Sequence, residues 1–170
     1  MRLLLLTVFL FSSLYGESGI LEITWPKPNA KHQKPSIPYP SVLTKGIKNT
    51  KLPVYLPTSY VYDKNMAVVS EKDFYTISFI LKDATLMVSG DRTYQESVSK
   101  DDPKFQALAK TSSKIEFIQE EGMMSADFNR HGVNYSLLVE CDDPETDKRC
   151  TQEGFLKDIY TRLIMVGGQP

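Results

Sequence analysis

The sequence predicts an α+β domain, an antiparallel sheet meander packed by a C-terminal amphipathic helix and one shorter helix. Three observations predict it. In Phe74 to Leu81 and in Gly132 to Cys141 apolar residues recur at every second position, which puts them on one face of a strand. Phe155 to Val166 repeats its apolar residues at three- and four-residue spacing, which puts them on one face of a helix. Short polar breaks of turn length separate the apolar stretches, and no internal repeat is visible.

The chain has 170 residues, 41% hydrophobic and 24% charged, ordinary globular proportions for one domain with extensions. A formal net charge of -1 gives no basic footprint for nucleic acid, so no such partner is expected. Arg2 is followed by an apolar run, Leu3 to Leu14, and then by Gly16. A positive start, a short apolar core and a small residue for cleavage predict a signal peptide over residues 1–16. The run is too short for a membrane-spanning helix, which needs about 20 apolar residues, and no later run approaches that length. The expectation is a periplasmic or secreted protein with no transmembrane span after signal removal.

Residues 17–51 read as a Pro/Lys-rich tether, carrying Pro26, Pro28, Pro35, Pro38 and Pro40 among scattered lysines. Each proline fixes φ and removes a backbone donor, which favours an extended spacer. The folded domain is expected over 52–170. Leu52 to Pro57 reads as an edge strand because of its prolines, and Met66 to Val69 as a short apolar strand. In Phe74 to Leu81, Tyr75, Ile77, Phe79 and Leu81 share one face. Lys82-Asp83-Ala84 turns the chain into Thr85 to Ser89, with Gly90 as a turn or bulge and Arg92 to Gln95 as a possible continuation. Asp102-Pro103 suits a helix start, and Phe105, Leu108 and Ala109 supply the stripe of the shorter helix. Ile115 to Ile118 and Met124 to Asn129 are strands, each followed by a glycine-containing break, Glu121-Gly122 and Asn129 to Gly132. In the last strand Val133, Tyr135, Leu137, Val139 and Cys141 form one face, and Asn134, Ser136 and Glu140 the other. Thr151 is placed to cap the final helix, and Gly167-Gly168 to end it.

The two cysteines, Cys141 and Cys150, lack C-x-x-C spacing and a histidine set for zinc. In an oxidising compartment they form a structural disulfide, worth roughly 2–3 kcal/mol on the chain-entropy account. It ties the best strand to the start of the closing helix.

Chemistry is sparse. His32 lies in the tether and His131 in a hairpin loop, and no nucleophile elbow, metalloprotease, P-loop or dinucleotide motif is present. The acidic loop Asp142 to Asp147 could offer oxygen ligands to a cation, but it lacks the EF-hand pattern and runs into Lys148-Arg149, so a solvated loop is preferred. Asp73, Asp91 and Asp127 sit at strand ends, where paired carboxylates could support hydrolysis. Tyr60, Tyr62, Arg92 and Tyr94 are the candidate partner-binding residues, since amphipathic aromatics and arginine suit binding surfaces. Tyr60 and Tyr62 are the tyrosines that packing explains least. No catalytic residue, metal ligand or cofactor is assigned.

Asp73 to Phe79, Gly132 to Leu137 and the stripe Phe155 to Val166 together resemble the strand–strand–final-helix order of PsbP-like extrinsic proteins. The resemblance covers about half the chain and implies an accessory or binding module without catalysis. The cysteine staple and the Pro/Lys tether depart from it, and no site residue carries across. The sequence therefore favours a non-catalytic module that engages an envelope protein or a small ligand. A small hydrolase using the strand-end carboxylates, with or without a cation, is the alternative.

Overall fold

In the computed structural model, which describes residues 18–26, 37–95 and 114–170, the strands are β1 (Ser18–Ile20), β2 (Val54–Pro57), β3 (Met66–Ser70), β4 (Phe74–Leu81), β5 (Ala84–Asp91), β6 (Thr93–Gln95), β7 (Glu116–Glu120), β8 (Met123–Arg130), β9 (Val133–Cys141) and β10 (Leu163–Gly167). The helices are α1 (Ser41–Gly46), α2 (Lys148–Thr151) and α3 (Gly154–Thr161). The fold is α+β. The signal peptide expected over 1–16, the centre of the tether at 27–36 and the shorter helix expected around Asp102 to Ala109 lie outside the described residues.

The main sheet has six antiparallel strands in the order β3-β4-β5-β9-β8-β7. Two meanders, β3-β4-β5 and β7-β8-β9, join where β5 pairs with β9 from Ala84↔Cys141 to Asp91↔Asn134. The hairpins are tight. In the β7–β8 loop Glu121 and Gly122 both have positive φ (47° and 82°), and in the β8–β9 loop His131 and Gly132 do so too (59° and 80°). Two consecutive positive φ values give the turn whose twist matches the flanking strands.

The inward face carries the core. Tyr75, Ile77, Phe79, Leu86, Val88, Ala126, Phe128, Tyr135, Leu137 and Val139 are buried there, as the period-two pattern predicts. A second layer covers it, made of α1, the two-stranded ribbon β2–β10 and α3, which contribute Leu43, Ile47, Val54, Leu56, Leu156 and Ile159 to the same cluster. The disulfide Cys141–Cys150, with Cα atoms 6.3 Å apart, fastens the end of β9 to α2 just before α3.

Four expectations need correction. The closing helix stops at Thr161, and Leu163–Gly167 is a strand that pairs antiparallel with β2, Leu163 opposite Pro57. Nor does Thr151 cap it: α3 starts after Glu153 with no side-chain cap, while Thr151 ends α2, the helix that Asp147 caps, and donates its hydroxyl to the Asp147 carbonyl. The end of the expected tether belongs to the domain, because Ser41–Gly46 is helical and Leu43 is fully buried. Gly90 is neither turn nor bulge. It continues β5 in register, opposite Tyr75 and Tyr135.

Gly90 has a steric reason. A Cβ there would stand 2.6 Å from Tyr75 Cε1 and 2.9 Å from Tyr135 Cε1. The two rings cross this bare position to reach β2. The Tyr55 N–H donates to Tyr75 Oη (3.0 Å), the Tyr75 O–H donates to the Tyr55 carbonyl (3.2 Å), and the Tyr135 O–H donates to the Pro53 carbonyl (2.8 Å). β2 is buried along its whole length and pairs with β10 on one edge. The tyrosine hydroxyls satisfy backbone groups on its other side, which burial would otherwise leave costly. Burial holds both phenols far above their ordinary titration range.

Candidate functional site

Among the described residues, the ribbon and helices leave the outward face of the sheet uncovered, and side chains from five strands line up on it. Strand register places Phe74, Asp91, Asn134 and Asn129 in one cross-strand row. Thr76, Ser89, Ser136, Asp127 and Glu116 form the next. These rows, with Lys114 beside them, line a cavity of about 520 Å³. Its floor is the backbone over Tyr75, Gly90, Phe128 and Tyr135, the part of the sheet that the tyrosine contacts hold to β2. The site is therefore polar side chains on a rigid floor, a favourable setting for a binding constellation.

The lining offers hydroxyls, amides and carboxylates, with one aromatic ring at the rim. Asp91 is partly occupied locally, since one carboxylate oxygen accepts from the Thr93 N–H (2.6 Å) and hydroxyl (2.7 Å). The Ser125 hydroxyl donates to Asp127 at 3.4 Å. Glu116 and Asp127 are directly opposite on β7 and β8, where facing like charges are unfavourable by a few tenths of a kcal/mol to about 1 kcal/mol. Of the three strand-end aspartates singled out in the sequence, the cavity takes in Asp91 and Asp127. Asp73 is held instead in an ion pair with Arg92, whose Nε lies 2.7 Å from its Oδ1. Asp91 and Asp127 are two strands apart, about 10 Å laterally, and two residues, about 7 Å, offset along the strand. Together these place the two Cα atoms about 12 Å apart, wider than the roughly 5–9.5 Å that separates the paired carboxyl groups of glycoside hydrolases.

No family model, curated protein or solved structure matches the chain. The site therefore rests on its own geometry.

The four candidate partner-binding residues do not form one patch. Tyr60 packs its ring 5.4 Å from Phe79 and is half-buried against the core, so packing does explain it. Tyr62 is 44% exposed, donates to the Ile37 carbonyl and lies 5.6 Å from the Tyr39 ring. Arg92 is committed to Asp73, at the opposite end of β4 from Phe79, some 17–20 Å away at about 3.4 Å per residue. Tyr94 lies on β6, its backbone opposite Gly19 of β1.

The cavity residues absent from the sequence-derived candidates are Phe74, Thr76, Ser89, Asn129, Asn134, Ser136, Lys114 and Glu116. Their signal is the polar alternation itself. What the sequence lacks is the β5–β9 register that sets Ser89 beside Ser136. The acidic loop has local work: Thr146 donates to Asp143 (2.7 Å), and Asp147 caps α2 and pairs with Arg149. The hydrogen bonds from Arg149 hold the Asp147 carboxyl below its usual range.

Proposed function

We propose that the protein is a non-catalytic, exported binding module that takes a small polar ligand on the open face of its sheet. The observation that carries this is the cavity of about 520 Å³ whose hydroxyl, amide and carboxylate side chains come in register from β4, β5, β9 and β8. Mixed donors and acceptors around one ring suit a polyhydroxylated solute, such as a saccharide unit, better than an apolar one. Export is supported by the Cys141–Cys150 disulfide, because such bonds persist in oxidising compartments. Among the described residues no helix is long and apolar enough to cross a membrane.

One observation favours hydrolysis as a second reading: Glu116 and Asp127 face each other inside the cavity, with a Cβ separation of about 5 Å for directly paired residues. Titration of the oxidised protein with mono- and oligosaccharides, followed by amide NMR, tests both readings. A binding module gives saturable shifts at Thr76, Ser89, Asn134 and Ser136, and unchanged saccharide afterwards. Product release that disappears in Asp127→Asn supports the hydrolase. A folded protein with no shift on this face for any saccharide removes the proposal.

A further inference from the structure

Arg130 stands apart from the other described arginines. Arg92, Arg149 and Arg162 each pair with an aspartate, Asp73, Asp147 and Asp158 respectively. No carboxylate among the described residues lies within ion-pair distance of Arg130. Its guanidinium carbon sits instead 5.1 Å from the Tyr55 ring centroid, 5.2 Å from Phe128 and 5.4 Å from Tyr160. These rings come from β2, β8 and α3, and Phe128 meets Tyr160 edge-on at 4.8 Å, so the cage is part of the folded packing.

Stacked rings engage the faces of a guanidinium and leave its N–H donors at the edge. A guanidinium has five such donors, and the Arg130 charge partly offsets the rise that burial gives the Tyr55 phenol. The cation is half-buried, so it is partly withdrawn from water yet open on one side. Its charge, together with burial, pushes the neighbouring His131 imidazole below its ordinary value, burial being the larger cause. The His131 ring in turn stacks on Tyr55 (6.3 Å, 11°). A half-buried, ring-oriented cation with no counter-charge among the described residues is a ready partner for a bidentate oxyanion. Arg130 has the parity of the covered face on β8, so this place is separate from the open-face cavity.

We infer that Arg130, in its cage of Tyr55, Phe128 and Tyr160, is an oxyanion-binding site for a carboxylate or phosphate group. The test titrates the intact oxidised protein separately with inorganic phosphate and with acetate at constant ionic strength, following the Arg130 Nε–Hε resonance and the thermal midpoint. A saturable shift with a rise in midpoint is expected. The tighter anion identifies the source, phosphoryl or carboxylate. Arg130→Lys keeps the charge but loses the fork, and should bind about tenfold more weakly. A cage that only latches β8 to β2 and α3 gives no saturable shift with either anion up to about 50 mM, and that result overturns the assignment. So does an anion response that survives unchanged in Arg130→Gln.

Discussion

Gly90→Ala adds one methyl group at the centre of the sheet, and the structure sets what that methyl meets. Its Cβ falls 2.6 Å from Tyr75 Cε1, 2.9 Å from Tyr135 Cε1 and 3.1 Å from Leu52 Cδ1. Ordinary carbon contacts need about 3.5–4.0 Å, so the Tyr75 ring must retreat by roughly 1 Å. It cannot do so freely, because its hydroxyl is held by both the Tyr55 N–H and carbonyl at 3.0 and 3.2 Å. Overpacking costs about 1–3 kcal/mol, and a lost buried hydrogen bond adds about 1 kcal/mol. Removing a strand glycine returns roughly 0.5–1 kcal/mol. The net expectation is a loss of about 2–3 kcal/mol, or roughly 6–12 °C in Tm for a domain of this size. Gly154→Ala is the matched control: nothing lies within 4 Å of its added Cβ at the start of α3, so it should be neutral or stabilising by up to about 1 kcal/mol. Urea unfolding of both variants, monitored by circular dichroism, measures the difference. If Gly90→Ala is as stable as the parent, the tyrosine crossing over β5 is wrong.

Tyr75→Phe leaves the Tyr55 N–H and carbonyl without this partner and should cost about 2–4 kcal/mol in urea unfolding, more than Tyr135→Phe, which frees only the Pro53 carbonyl. Replacing Cys141 and Cys150 by Ser should cost roughly 2–3 kcal/mol, seen as a lower Tm whose gap to the parent closes when the parent is reduced. His131 is held below its ordinary imidazole value by burial and by Arg130, so the folded state binds fewer protons there than the unfolded one. That stability is complete above about pH 6.5 and is lost as the pH falls through 6.5 towards the depressed value. His131→Asn, which suits the positive φ of 59°, should therefore lose less Tm than the parent between pH 7.5 and 5 in anion-poor buffer, and equal losses would contradict the assignment. Ser136→Ala and Asn134→Ala should leave stability within about 0.5 kcal/mol while weakening saccharide binding several-fold by calorimetry.

The sheet was legible because its two faces differ in chemistry. Tyr75, Ile77 and Phe79 on β4, and Val133, Tyr135, Leu137 and Val139 on β9, recur at every second position, with Thr76, Ser78, Asn134, Ser136 and Glu140 among the residues between or beside them, and each tight turn carries a residue suited to positive φ. The end of the chain was not legible. Leu163, Ile164 and Val166 continue the helical spacing of Phe155, Leu156, Ile159 and Tyr160, so periodicity extends the helix past its true end at Thr161. The competing strand depends on β2, about a hundred residues earlier, and the intermediate burial of every residue in β10 leaves no alternation to read. Leu43 and Ile47 were hidden by the prolines and lysines around them, though they lie four residues apart and both enter the core. The cavity was half legible. Asp91 and Asp127 were identified as strand-end acids, but the hydroxyls and amides between them gain meaning only through the β5–β9 register.

That register also divides the packed face of the sheet from the face that lines the cavity. On β5, Leu86, Val88 and Gly90 fit the core and the two tyrosine rings, while Ser89 and Asp91, one residue away, line the cavity. On β9, Tyr135 secures β2 while Asn134 and Ser136 face the solvent side. Because side chains alternate along a strand, a change on one face leaves the contacts of the other intact unless the backbone moves. The backbone is restrained where the cavity lies, since the hydroxyls of Tyr75 and Tyr135 hold its floor to a buried strand. A floor held in this way presents its polar groups already positioned, which lowers the ordering cost of binding. On the proposed reading, the two buried tyrosine rings serve binding from the covered face: they fix the strands from which the polar side chains are presented, and Gly90 is the residue whose missing side chain lets them do it.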